Sequence, residues 1–141
     1  MSRRTLDTAQ VVDCAAALAD ADGLDAVTLT RVAERLGVRQ PALYRHVDNY
    51  DALIRALGLR GREILASRLG EAAVGLAGDD AVRAMGGAWR AVVAEHPGLY
   101  AATDRYPCSS DAELAAAVER VVQMLGQALA GYGLADDERI H

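Results

Sequence analysis

The chain has 141 residues, 52% of them hydrophobic and 25% charged, and a formal net charge of −5 at pH 7. Its length and composition are sufficient for a buried core, and it contains no apolar run near the roughly 18 residues that would suggest a membrane span. These properties argue against a membrane protein and against a protein that binds nucleic acid over its whole surface. The first residues, MSRRTLDTAQ, lack the apolar core of a signal peptide, so we expect a cytoplasmic protein.

The charge is distributed unevenly along the chain. Residues 31–62 hold seven arginines against three acids, a net charge of +4, whereas residues 63–141 hold six arginines against twelve acids, a net charge of −6. Such asymmetry is typical of a chain in which one part faces nucleic acid and the other part has a different task.

The first half of the chain predicts helices that are separated by glycine. Apolar residues recur at spacings of three and four, which is typical of amphipathic helices, so we predict an all-α fold without strands. Asp7 and Gln10 match a capping box at the start of helix one, which runs to Gly23. Thr28 is expected to cap helix two, and Gly37 to end it.

A third helix is predicted within residues 37–47, GVRQPALYRHV. Pro41 suits its first turn, where the missing amide hydrogen would be unpaired anyway. Leu43 and Val47 lie close together on a helical wheel and are expected to face the core, which leaves a polar and aromatic outer side. A longer fourth helix from about Asp51 is the natural connector to the rest of the chain.

The second half predicts further helices. Helix five is expected to end at His96, because the residue before a proline avoids the helical region. A short helical turn is expected over residues 99–102, and Ser110 with Glu113 matches a capping box that starts a long helix ending at Gly133. The apolar stripes comprise Val82, Met85, Trp89, Val92 and Val93 in helix five, and Leu114, Val118, Val121, Leu125, Leu129 and Tyr132 in the long helix.

Helices two and three have the pattern of a helix-turn-helix. Ala33 precedes Gly37 by four residues; a small side chain allows the helices to cross closely, and glycine accepts the left-handed backbone of a sharp turn. An ordinary helical hairpin, which many all-α proteins contain, fits the same pattern. The geometry alone therefore leaves DNA binding as one of two interpretations.

The residues of this segment carry a family resemblance. The run TLxxVAxxLGVxxPALYxHVxNYxxL, residues 28–53, resembles the DNA-binding domain of TetR-type (tetracycline-repressor-like) transcriptional repressors. The resemblance covers helices one to four. It implies an all-α homodimeric repressor with a three-helix helix-turn-helix DNA-binding domain, here residues 1–50, and a helical domain for effector binding and dimerisation, here residues 51–141.

The resemblance also sets an expectation about length. Members of the family usually continue through two further long helices that build the dimer interface, and this sequence ends where the first of them would begin. We therefore expect residues 51–141 to be an incomplete effector domain that lacks the dimerisation helices, and the homodimer to belong to the full-length form.

The third helix supplies the candidate DNA contacts. In the major groove an arginine can bond guanine and a glutamine can pair with adenine, so Arg45 and Gln40 are the predicted base-reading residues, with Ala42 against a thymine methyl. The family pattern implies phosphate contacts for Tyr44 and His46, and the starts of helices two and four are expected to meet phosphates as well. The predicted DNA-binding residues are Thr28, Thr30, Arg31, Arg39, Gln40, Pro41, Ala42, Tyr44, Arg45, His46 and Tyr50.

Bulky apolar residues of the second half suggest a pocket between helix four, helix five and the long helix that ends at Gly133. Such residues at helical spacing also form plain core, and both interpretations stay open here. If they line a pocket, the effector is an apolar or aromatic small molecule. Helix four is then expected to transmit the conformational change on effector binding to the DNA-binding helices. The predicted ligand-binding residues are Leu65, Met85, Trp89, Tyr100, Tyr106, Met124 and Leu125.

Catalysis is not expected. The sequence offers no convincing set of acid, base, nucleophile or metal ligand, and Cys14 and Cys108 lack the spacing of a zinc site, so we expect neither an enzyme nor a cofactor. The main alternative to a regulator of this kind is a helical protein-interaction module without sequence-specific DNA binding.

Overall fold

The computed structural model describes residues 5–105 and 111–133. Over these residues all regular structure is helical, which confirms the predicted fold class. The α-helices are α1 (Thr8–Asp22), α2 (Leu29–Leu36), α3 (Gln40–Leu43), α4 (Tyr50–Ala73), α5 (Gly78–Glu95), α6 (Pro97–Arg105) and α7 (Ala112–Leu129), with 3-10 turns at Leu24–Ala26 and Ala130–Tyr132. Within the described ranges, no helix has the length and hydropathy needed to cross a membrane.

The chain divides into two compact units. The first comprises Met1–Gly58 and His96–Tyr106, and the second comprises Leu59–Glu95 and Pro107–His141. The first unit therefore contains α1 to α3 together with α6, although α4 and α5 separate α6 from them in the sequence. The predicted functional boundary between residues 50 and 51 stays a prediction.

Local capping signals position the helices of the first unit. The backbone N–H of Gln10 donates to Asp7 Oδ1 at 2.7 Å and that of Asp7 donates to Gln10 Oε1 at 3.0 Å, so the predicted capping box is present. The hydroxyl of Thr28 accepts from the N–H of Arg31 at 3.1 Å, which confirms Thr28 as the cap of α2. Gly37 ends α2 with φ at +69°, a conformation that glycine adopts without steric cost.

Helix α3 is shorter than predicted. It spans only Gln40–Leu43 and continues as turns to His46, whose N–H donates to the Leu43 carbonyl at 2.9 Å. Pro41 occupies its first turn as expected, and Leu43 and Val47 are both buried. A single turn is too short to be stable alone, so the position of α3 depends on these two apolar side chains.

Helix α6 packs directly against α1. A Cβ built at Gly98 would lie 2.1 Å from the carbonyl carbon and oxygen of Ala19, so the two backbones approach as closely as glycine permits. Asp20 Oδ1 accepts from the N–H of Gly98 and from that of Leu99, each at 3.0 Å, and Oδ2 lies 2.7 Å from Nδ1 of His96. One carboxylate of α1 thus caps the N-terminus of α6, which is a full helix rather than the predicted short turn at 99–102.

The second unit has its own hydrophobic core. Its buried residues are Leu65, Ala66, Leu69, Ala81, Met85, Val92, Val121 and Ala128. Helices α5 and α7 pack against each other within it, and the side chain of Tyr132 donates a hydrogen bond to Asp79, which raises the Tyr132 pKa. The predicted end of helix five at His96 is confirmed.

Details of α5 and α7 differ from the prediction. The cap of α7 is Asp111, whose carboxylate accepts from the N–H groups of Glu113 and Leu114; Ser110, the predicted cap, lies outside the described residues. The buried positions of α7 are Leu114, Ala117, Val121 and Ala128, because small alanines face the core where helices pack closely. Of the predicted stripe residues, two are exposed, Val82 and Tyr132, and five are only half-buried, namely Trp89, Val93, Val118, Leu125 and Leu129.

The approach of α6 to α1 predicts a strong effect of one added methyl group. Gly98→Ala would force its Cβ into the backbone of Ala19, which cannot move cheaply, so we expect the free energy of unfolding to fall by about 2–3 kcal/mol. Urea denaturation of the purified chain measures this change.

The matched control is Gly87→Ala in α5, where an added Cβ meets no atom within 4 Å. There the same substitution should raise the free energy of unfolding by about 0.5–1 kcal/mol, because alanine is the better helix former. Equal effects of the two variants would contradict the close contact between α1 and α6.

The anchoring of α3 predicts a second effect on stability. Leu43 is fully buried, so Leu43→Ala should lower the free energy of unfolding by roughly 2–5 kcal/mol through lost burial and a cavity. Leu36→Ala deletes the same atoms from a half-buried side chain of α2 and should cost clearly less. A thermal or urea melt in which the two variants lose the same stability would refute the anchoring role of Leu43.

Candidate nucleic-acid interface

The predicted DNA-binding residues lie at the surface of the first unit. None of the eleven is buried: seven are exposed and four are half-buried. They belong to the start of α2, to α3 and the turns that follow it, and to the first residue of α4. The exposed residues are Thr28, Thr30, Arg31, Arg39, Pro41, Tyr44 and Arg45, and the half-buried ones are Gln40, Ala42, His46 and Tyr50.

Three of these residues are brought together by hydrogen bonds. The hydroxyl of Thr30 on α2 donates to Oε1 of Gln40 on α3 at 3.1 Å. Nε2 of Gln40 lies 3.5 Å from the hydroxyl of Tyr44, a longer and weaker contact. Gln40 therefore bridges the two helices of the helix-turn-helix on their outer side. Sequence periodicity gives no signal for this bridge, because it joins side chains of different helices.

Arg31 is held by two partners that the sequence did not predict. Its Nη2 lies 2.8 Å from Asp22 Oδ2, and its Nη1 donates to the carbonyl of Ala26 at 3.1 Å. Both side chains of the ion pair are close to half exposed, at 43% for Arg31 and 47% for Asp22. The guanidinium is thus fixed against the end of α1 and the 3-10 turn, and Asp22 offsets part of its charge.

Arg39 and Arg45 differ from Arg31 in this respect. Both are exposed, and neither forms a hydrogen bond or ion pair with another residue of the two described ranges. Arg39 stands at the N-terminal boundary of α3, and Arg45 follows the helix by two residues. These two guanidinium groups can bind an external anion or a base edge without breaking an existing contact.

The backbone after α3 is tied to α1. The hydroxyl of Thr8, the first residue of α1, donates to the carbonyl of His46 at 3.3 Å. This contact and the buried Val47 fix the end of the turn, so the half-buried His46 ring is presented from an anchored backbone. Within residues 5–105 and 111–133, no group of three or more His, Cys, Asp or Glu side chains could hold a metal ion.

Five of the seven predicted ligand-binding residues share one cluster in the second unit. Leu65 and Met85 are buried in it, and Trp89, Met124 and Leu125 pack against it as partly buried side chains.

The other two predicted ligand-binding residues stand apart from this cluster. Tyr100 lies on α6 and belongs to the first unit. Tyr106 lies outside the described residues. Of the seven predicted residues, the structure therefore brings together only the five that belong to the second unit.

Three clefts adjoin this cluster. One, of about 250 Å³, lies between α5 and α7 and is lined by Val82, Met85, Gly86, Trp89, Arg90 and Leu125. Another, of about 260 Å³, includes Met124 and the ends of α4 and α7 among its walls. The third, of about 400 Å³, is lined by Glu63, Ala66, Ser67, Arg120 and Met124. Arg90, at the first cleft, was not predicted, since an exposed arginine on a helix carries no signal of its own in the sequence.

The chain matches two family models. Residues 11–57 match the model described as bacterial regulatory proteins, tetR family, and residues 82–141 match the model described as tetracyclin repressor-like, C-terminal domain. The first match covers most of α1, all of α2 and α3, and the beginning of α4, and so includes the candidate interface.

One relative extends the similarity over nearly the whole sequence, and another matches less than half of it. An uncharacterised HTH-type transcriptional regulator of Mycobacterium tuberculosis is 34% identical over 137 residues, which cover 96% of this chain and 63% of the relative. The tetracycline repressor protein class D of Escherichia coli is 43% identical over 61 residues, 43% of this chain and 27% of that protein. The chain thus spans less than two thirds of the length of either relative.

A solved structure shows the same fold. The crystal structure of a possible TetR family transcriptional regulator from Streptomyces coelicolor superposes with a TM-score of 0.72 at 22% identity, and covers 95% of this chain and 62% of that one. The helix-turn-helix geometry, both family models and these similarities agree with the resemblance seen in the sequence: the chain belongs to the TetR family of bacterial regulatory proteins.

Proposed function

We propose that this protein is a ligand-responsive transcriptional repressor that binds a palindromic operator as a homodimer, through α3 and the turns that follow it. The observation that carries the proposal is the exposure of the predicted contact residues: Leu43 and Val47 fill the core side, and every candidate base or phosphate contact stays accessible. In this proposal residues 1–50 bind DNA, and residues 51–141 bind the effector.

The electrostatics of the surface support DNA as the partner. Residues 31–45 of the first unit expose four arginines, Arg31, Arg35, Arg39 and Arg45, against one acid, Glu34, in a chain whose net charge is −5. Phosphate contacts by arginine release counterions from DNA and supply most of the sequence-independent affinity. A local positive surface on an acidic protein directs the DNA to one side of the molecule.

Two residues are the proposed readers of base edges. Arg45 is exposed and forms no hydrogen bond or ion pair with other described residues, so its guanidinium can bond O6 and N7 of a guanine. Gln40 lies in the first turn of α3 and can pair with an adenine. The hydroxyl and imidazole groups of Tyr44 and His46 are proposed to position the helix on phosphates.

The second unit is the proposed sensor. The cleft beside Met85, Trp89 and Leu125 is apolar with Arg90 at its rim, which suits a small apolar or aromatic effector. Such a ligand lowers operator affinity if it binds better to a conformation in which the two recognition helices of the dimer are wrongly spaced for successive major grooves. By reciprocity, operator DNA must weaken effector binding by the same factor.

The base-reading role of Arg45 is tested by substitution. After selection of preferred duplexes from a randomised pool with the purified chain, Arg45→Ala should relax the preference at one base pair and weaken the preferred duplex by roughly 5- to 150-fold, as expected for one lost bidentate contact. Arg83→Ala removes the same charge from an exposed position of α5 and should change affinity less than twofold, about the level expected of a distant surface charge.

Salt dependence separates this function from the alternative of a protein-interaction module. For a DNA-binding protein, affinity for the selected duplex in a gel-shift titration should fall steeply as salt rises, since bound arginines displace counterions. Binding that is weak, insensitive to salt and blind to sequence would instead favour the protein-interaction module and contradict the proposal.

The sensor role is tested by fluorescence. Trp89 is partly buried beside the cleft and is the sole tryptophan of the chain, so an effector that enters the cleft should shift or quench its emission. The ligand should also protect the second unit against thermal unfolding, by about 2.7 kcal/mol at a concentration one hundred times its Kd. If apolar, aromatic and charged compound sets all leave the emission and the melting temperature unchanged, the sensor proposal loses its support.

A further inference from the structure

We infer that Thr30 is a positioning residue for base recognition, which holds the carboxamide of Gln40 ready to read an adenine. This inference rests on the proposed function, because Gln40 meets a base only if α3 enters the major groove. The contact that motivates it is the hydrogen bond from the Thr30 hydroxyl to Gln40 Oε1, 3.1 Å long, between α2 and α3.

Gln40 needs external support to keep a defined conformation. It lies in the first turn of a four-residue helix, and Arg39 at the boundary provides no side-chain cap. A glutamine side chain at a protein surface samples several rotamers, and ordering it on binding lowers affinity by roughly two- to tenfold. Thr30 belongs to the longer helix α2, which is capped by Thr28 and ended by Gly37, so it offers a fixed point for that side chain.

The hydrogen bonds leave Gln40 with the groups that adenine requires. A carboxamide has two acceptor positions on its oxygen and two N–H donors. Thr30 occupies one acceptor position, and the hydroxyl of Tyr44 lies 3.5 Å from Nε2 and faces one donor. One acceptor position and one N–H remain, which match the N6 amino group and N7 of an adenine in the major groove.

The same bond changes the role expected for Thr30. A hydroxyl can donate only one hydrogen bond, and in this structure the Thr30 hydroxyl donates it to Oε1 of Gln40. Thr30 therefore acts on DNA through Gln40 and not by donating to a phosphate. This distinction can be measured, because a phosphate contact affects all sequences equally while a positioning residue affects one base pair.

The first experiment uses the protein without DNA. Thr30→Val keeps the branched shape and removes the hydroxyl, whereas Thr30→Ser keeps the hydroxyl. The ¹⁵N relaxation of the Gln40 side-chain amide should show a lower order parameter in Thr30→Val than in the unchanged protein, and Thr30→Ser should restore it. An order parameter that is the same in all three proteins overturns the inference irrespective of any DNA binding.

The second experiment is a double-mutant cycle on the selected duplex. Thr30→Val should weaken binding about fivefold, and should relax preference at the base pair where Gln40→Ala relaxes it. In the Gln40→Ala background, Thr30→Val should change affinity by less than about twofold, because its effect passes through the missing side chain. Thr30→Ser should keep both affinity and preference.

The outcomes separate this inference from the proposed function. If Thr30→Val weakens all duplexes equally in both backgrounds, Thr30 contacts a phosphate and the positioning role is wrong while DNA binding stands. If the unchanged protein selects no sequence at all, the proposed function fails, and the contact between Thr30 and Gln40 has no role in recognition.

Discussion

The contact between α1 and α6 is the constraint on which the arrangement of the first unit depends. The backbone of Gly98 lies against Ala19, and the adjacent carboxylate of Asp20 accepts from two N–H groups and faces the ring of His96. N–H groups in the first turn of a helix have no carbonyl partner within that helix. Asp20 therefore supplies the hydrogen-bond acceptor for two of them and fixes the N-terminus of α6. Helix α1 in turn supports α2, and α2 supports α3. The position of the candidate interface is therefore set by contacts that lie away from it.

The candidate interface itself is a small element held from several directions. Helix α3 has only four residues, so its own hydrogen bonds contribute little, and Leu43 with Val47 hold it from the core side. The hydroxyl of Thr8 fixes the backbone at His46. A short helix that is held by a few contacts with its neighbours can expose most of its side chains to a partner. A long amphipathic helix that packs along its whole length buries a larger share of them. This explains why so few of the residues in the segment face the core.

The elements that the sequence predicted correctly are those fixed by local chemistry. The capping box of Asp7 and Gln10, the Thr28 cap and the Gly37 turn each depend on residues within a few positions of one another, so they can be identified without knowledge of the fold. The packing of α6 on α1 and the hydrogen bond between Thr30 and Gln40 each join two different helices. The spacing of apolar residues in the sequence does not predict such contacts. The start of α7 was missed by one residue because Ser110 and Asp111 both satisfy the preference for a polar cap. The alanine positions of α7 were missed because tight packing selects small side chains, which a search for bulky apolar stripes ignores.

The arginines of the candidate interface are not equivalent, and the difference follows from their partners. The ion pair of Arg31 with Asp22 joins two half-exposed side chains, so it adds at most about 1 kcal/mol to stability. Its larger consequence is electrostatic, since the carboxylate of Asp22 would approach any phosphate that Arg31 binds and would offset part of the attraction. Arg39 and Arg45 have no acid paired with them among the described residues, so their charge acts on DNA undiminished. The net charge of a segment therefore overstates its attraction for a polyanion wherever an arginine already has an acidic partner, and under the proposed function Arg39 and Arg45 contribute most to the electrostatic binding of the operator.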